Sequence, residues 1–278
     1  MSALRVDGAT HVWGGGEVQY PWAPHNGVSV PRNPAKVESL IRALDESELH
    51  AAVCVQPRVY GYDHAYLANA LRQHPERLAA ICLVNPVRHT APRELENLII
   101  AGFAGVRLIP LACDDASWLV SNESDPLCDA ATALKVPIKV LARADQLGLV
   151  AGRAGRSSSA TIVVDHLGLV DPAEPYAALQ GLSECAQHEN VTIMVSALGQ
   201  LSHQVWPYHD VLNIVAPVLD LFGPERVVFG TDWPYCMESG PYVGDRRALT
   251  EGLELDLANN AGLFGENASR LWRLAAGN

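Results

Sequence analysis

The chain has 278 residues, 49% of them hydrophobic and 18% charged, with a formal net charge of −11. The apolar share suffices for the core of one domain spanning residues 1–278, and the low charge content argues against a disordered or coiled-coil protein. Net acidity excludes nucleic acid and anionic membranes as expected partners, because both select basic patches. A small anionic ligand stays open, since one buried arginine can hold it inside an acidic protein.

In chain order, short apolar runs alternate with helical patterns. A run over 4–9 leads to His11, and a Gly-, Pro- and aromatic-rich connection over 13–34 follows. A connection of that length is either functional or a packed surface flap. A helix is predicted over 35–47, a strand over 51–56 and a helix over 63–74. Next come a strand over 78–84, a helix over 93–101, a strand over 105–108 and a helix over 125–134. Strands over 137–141, 161–165, 191–196 and 226–230 are followed by helices over 144–153, 176–188, 208–222 and 246–257, and a short helix over 266–272 closes the chain. Runs that are continuously apolar, such as Ala51-Ala52-Val53-Cys54-Val55, fit strands covered on both faces. Eight strand–helix units at this spacing predict a single (β/α)8 TIM barrel.

Cys54, Cys82, Cys113, Cys128, Cys185 and Cys236 show no CxxC spacing, so neither a zinc knuckle nor a redox pair is indicated. No stretch approaches a membrane span and the N-terminal residues have no apolar leader pattern, so a cytoplasmic, reduced protein is expected.

Barrel enzymes react at the C-terminal ends of their strands. The polar residues there are His11, Gln56, Asn85, Arg107, His166, Ser196 and Asp232, and Leu141 ends the fifth strand. Arg107 lies in an apolar strand and must face a carboxylate, either the protein's own or a ligand's. Tyr60, Tyr62 and His64 after the second strand, His203, Trp206 and Tyr208 after the seventh, and Trp233 after the eighth are candidate pocket residues; a packed loop uses the same types. Cys236 has no histidine near it in sequence and gives no sign of a nucleophilic role.

Three segments carry a resemblance. They are Asp7-Gly8-Ala9-Thr10-His11-Val12-Trp13, Val163-Val164-Asp165-His166-Leu167-Gly168 and Phe229-Gly230-Thr231-Asp232-Trp233-Pro234; the closing Gly265–Leu271 fits the same pattern. Together they resemble the amidohydrolase superfamily, in its amidohydrolase-related (amidohydrolase 2) branch. In that superfamily a His-x-His pair, two further histidines and an aspartate surround one or two metals. Here Ala9 replaces the first histidine and Leu141 stands at the fifth-strand position, leaving His11, His166 and Asp232. The likeness is therefore nearer to metal-independent members of the 2-pyrone-4,6-dicarboxylate lactonase type. It implies hydrolysis of a lactone or similar cyclic ester, with Asp232, His166 and His11 catalytic and no metal or other cofactor. Arg107, Gln56, Tyr60, Tyr62, Ser196, His203, Trp206, Tyr208 and Trp233 would bind a small, optionally carboxylated substrate.

The branch commonly has Lys where this chain has Met194, so either a charge has left the pocket or Met194 fills an apolar gap. A metal-dependent amidohydrolase or decarboxylase, a non-catalytic small-molecule-binding barrel and a biosynthetic cyclase are the alternatives, and a homodimer is left open.

Overall fold

The computed structural model describes residues 4–24, 28–113 and 115–274. Eight parallel strands form one sheet in the order β1 to β8. They are β1 (Val6–Thr10), β2 (Ala51–Val55), β3 (Leu78–Leu83), β4 (Gly105–Leu108), β5 (Ile138–Val140), β6 (Ile162–Val164), β7 (Val191–Val195) and β8 (Val227–Phe229). All eight expected runs became strands. Backbone bonds from His11 N to Trp233 O (2.7 Å) and from Asp232 N to Ala9 O (2.8 Å) close the two edges into a (β/α)8 barrel. No described helix is long and apolar enough to cross a membrane.

The helices are α1 (Val37–Glu46), α2 (Ala65–Gln73), α3 (Ala91–Ile100), α4 (Asp125–Leu134), α5 (Leu147–Arg156), α6 (Pro175–Ala186), α7 (Leu198–Leu201), α8 (His209–Phe222), α9 (Gly244–Gly252) and α10 (Asn267–Trp272). Their periodicity explains their docking: in α1, Val37, Leu40 and Leu44 fall on one face and are buried against the sheet. The expected helix over 246–257 instead starts at Gly244 and ends at Gly252. There a Cβ would meet Leu212 Cδ1 at 2.4 Å, so a side chain at this position would require Leu212 of α8 to move. α7, a single turn, was not expected.

Strands buried on both faces divide their side chains between two cores. The outer core lies between sheet and helices. The inner one joins Val53, Ile81, Val163, Met194 and Val228 inside the barrel, and Trp272 of α10 packs into it. Above these layers Leu83, Ile109 and Leu141 form a third cluster at the C-terminal ends of the strands.

Candidate active site

A cavity of about 250 Å³ opens at that end, lined by His11, His166, Asp232 and Arg107 among others. Asp232 follows β8 with φ 63° and His166 follows β6 with φ 49°. Left-handed backbone costs a non-glycine residue roughly 1 kcal/mol, and strain of this kind gathers where side-chain placement matters.

Asp232 is the centre of the constellation. Its Oδ1 lies 3.3 Å from His11 Nε2 and 3.7 Å from His166 Nε2. Oδ2 accepts a bond from Gln200 Nε2 at 3.3 Å, whereas the buried Oδ1 has no well-formed hydrogen bond. Burial acts to raise the pKa of Asp232, but His166 and His11 outweigh it and hold the carboxyl below its ordinary value. His11 Nδ1 is 2.9 Å from the Val55 carbonyl. A carbonyl only accepts, so Nδ1 carries a proton, and a second proton on Nε2 is what lets the ring donate to the carboxylate. His166 Nδ1 pairs with Ser196 Oγ at 2.8 Å. Burial lowers the pKa of His166, against the pull of Asp232 and Asp165.

Beneath lies a buried ionic group. Arg107 Nε and Nη2 donate to Asp165 Oδ2 at 3.0 and 2.9 Å. Lys139 of β5 donates to Asp165 Oδ1 and reaches Met194 Sδ at 2.8 Å. Burial would raise the Asp165 pKa, but Lys139 and Arg107 pull it well below the usual carboxylate range. Arg107 thus meets the protein's own carboxylate while also lining the cavity. Lys139 was missed in the sequence. Its ammonium reaches the Met194 side chain, so an interior cation is supplied from β5.

The other expected site residues divide. Ser196 reaches the cavity through His166. Trp233 is buried, and its carbonyl joins the closing bonds. Gln56 is turned away: its Nε2 holds the Gly61 and Asp63 carbonyls at 3.2 and 2.8 Å, tightening the turn after β2. Tyr60 stacks on Trp22 and Tyr66 and accepts from Gly14 N, pinning the 13–34 connection. Tyr62 lines a neighbouring cavity of about 270 Å³. His64 is built into the wall, where its Nε2 accepts from Leu83 N at 3.0 Å. His203 pairs with Asp171 on the surface. Trp206 lies under Arg247, and Tyr208 OH donates to the Ser239 carbonyl. Loop packing claimed these aromatics. In their place Arg58, Tyr235 and Gln200 line the cavity, and Tyr235 meets the His11 ring edge-on at 5.7 Å. An arginine directly after Gln56-Pro57, at a strand end, was the available signal for Arg58.

The sequence profile of the amidohydrolase family matches residues 6–274, and the chain belongs to that family. It is 27% identical to a 4-sulfomuconolactone hydrolase from Rhizobium radiobacter, over 94% of this chain and 87% of that one. It is 26% identical to an L-fucono-1,5-lactonase from Burkholderia ambifaria, over 98% and 96%. An amidohydrolase from Burkholderia multivorans, 22% identical and covering 98% of this chain and 100% of its own, superposes with a TM-score of 0.81 in a form with bound HEPES. A second crystal form with bound zinc superposes with a TM-score of 0.77.

The donor set here does not fit a tightly held divalent ion. Among the described residues no group of three or more His, Cys, Asp or Glu side chains is arranged to hold one. Ala9 and Leu141 offer no ligand atom, and the cations Lys139 and Arg107 already act on Asp232 from below.

Proposed function

We propose that this chain is a hydrolase of small cyclic esters that opens a lactone without a metal ion, with Asp232 as general base. The observation that carries this reading is one buried carboxylate set between two imidazole nitrogens, on a residue that lines a cavity of small-molecule size. The lowered pKa of Asp232 keeps it ionised at neutral pH, as a base requires. Two relatives named as lactone hydrolases support the substrate class.

The chemistry balances on these residues. Water attacks the lactone carbonyl carbon while Asp232 takes its proton. With Ser196 donating to Nδ1, His166 keeps its own proton on Nε2, facing the developing oxyanion. The ring C–O bond then breaks, and the departing oxygen takes the proton back from Asp232. The product is an open hydroxy acid and Asp232 is restored. Arg58 and Arg107 both line the cavity, and a guanidinium is the group best shaped to meet a substrate carboxylate.

A panel of lactones with and without a carboxylate substituent tests the reading. Turnover of a carboxylated lactone is expected, unaltered by a chelator. Asp232→Asn keeps the shape but cannot take the proton, so kcat should fall by roughly 10²–10⁴. Wild-type turnover in that variant would refute the base. Stoichiometric zinc whose removal abolishes turnover would refute the metal-free mechanism.

A further inference from the structure

Asp245 is a further buried carboxylate, 4% exposed, in the first turn of α9. It has no cationic partner among the hydrogen bonds that hold it. Its Oδ2 accepts from Leu198 N at 2.9 Å and its Oδ1 from Gly199 N at 3.4 Å. These are the first two amides of α7, whose own N-cap residue, Ala197, has a left-handed backbone (φ 59°) and offers no side-chain cap. A cap supplied from 47 and 46 residues away therefore fixes this single turn. The turn carries Gln200, which stands at the cavity mouth and donates to Asp232 Oδ2. Gly199 is locked by shape, since a Cβ there would sit 2.6 Å from Ser239 Cβ and from Tyr208 Oη.

We infer that Asp245 is a positioning residue: its carboxylate holds α7, α7 holds Gln200 over Asp232, and protonation of Asp245 slackens that hold. A protonated carboxyl keeps one good acceptor oxygen, so one of the two amide anchors is lost. Without it Gln200 competes poorly with water for Asp232, and the base loses its fixed orientation. Burial pushes the Asp245 pKa up to about 7 against the lowering effect of the two amides, with Asp7 and Asp232 adding to the rise. Tyr208 and Cys236 also face it, and both stay protonated there because burial raises their own pKa values. The slackening therefore falls close to neutral pH.

The catalytic consequence rests on the lactonase reading, so the test has two arms. In the first, the side-chain amide resonance of Gln200 is followed by NMR between pH 5.5 and 8.5, without substrate. The wild type should show an inflection near 7 and Asp245→Asn none. In the second, lactone turnover is measured over the same range. Wild-type kcat should rise through about 7. Asp245→Asn should lose this limb, with kcat lower by about 10- to 100-fold at pH 8 and KM little changed. A Gln200 resonance that does not titrate, or one that titrates equally in Asp245→Asn, overturns the inference even if lactones are hydrolysed. A Gln200 inflection that the variant loses, in a protein that turns over no lactone, sustains the positioning link and overturns the lactonase reading instead.

Discussion

Asp165 is the residue on which the barrel's interior electrostatics converge. It is fully buried and holds two cations, Arg107 and Lys139, that are themselves 4% and 1% exposed. Removing one partner of a buried ion group leaves uncompensated charge, at a cost of about 3–5 kcal/mol. Asp165→Asn should therefore destabilise the protein by about that amount in chemical denaturation at pH 7. The pH dependence has a definite sign. The folded-state pKa of Asp165 is depressed, so its stabilisation is present above the ordinary carboxylate pKa and is lost only as pH falls toward the folded value. The variant should consequently lose stability at neutral pH and show a weaker further loss in acid. A variant as stable as the parent at pH 7 would mean that the cations find other partners. Part of this group was legible in the sequence: an arginine inside an apolar strand demanded a carboxylate, and Asp165 ended the apolar run that became β6, two strands away. Lys139 was not. It carried the same signal as Arg107, a cation inside an apolar run, but a lysine stem can also reach past a strand end to solvent, so the run alone did not fix its ammonium inside.

Individual elements show the same division between pattern and packing. Every long periodic segment became the expected helix or strand, because burying one stripe or two faces leaves a trace in composition. α7 left none, since four residues cannot display a period. The aromatics after β2 and β7 were equally opaque, because Tyr60, Trp206 and Tyr208 have the same identity whether they line a pocket or staple a loop. Arg153 in α5 gives another instance. The pattern assigned it to a helix end, where arginine ordinarily reaches solvent, yet it is fully buried. It donates to the Leu119 and Ser121 carbonyls, to Asp125 Oδ1 and to the hydroxyls of Ser124 and Ser157. It thereby ties the segment before α4 to α5. Arg153→Met should lower stability by about 3 kcal/mol, because several buried acceptors lose their donor at once. Thermal melting checks this, and an unchanged Tm would show that water or Arg156 takes over those acceptors.

At the scale of the whole molecule, the decisive place is the seam where β1 meets β8. Asp7 staples it, accepting from Thr231 N (2.9 Å), Thr231 Oγ1 (2.6 Å) and Tyr242 OH (2.8 Å). The strands approach closely there: a Cβ on Gly230 would lie 2.9 Å from Ala9 Cβ and 3.0 Å from Met194 Cε. Ala9 is the position where the wider superfamily carries its first histidine, so the loss of that imidazole and the packing of the seam are one fact. The interior volume beside Ala9 is occupied by Met194, whose sulfur meets the Lys139 ammonium. Restoring the histidine should therefore not restore a metal centre. Ala9→His would force an imidazole against Gly230, Met194 and a fixed cation. Overpacking of this kind costs about 1–3 kcal/mol, and an unpaired buried ring nitrogen adds to it. The expected outcome is a lower denaturation midpoint and no gain of stoichiometric zinc on dialysis against the metal. An Ala9→His protein that melts with the parent and binds zinc one-to-one would show that the seam can open to take the imidazole.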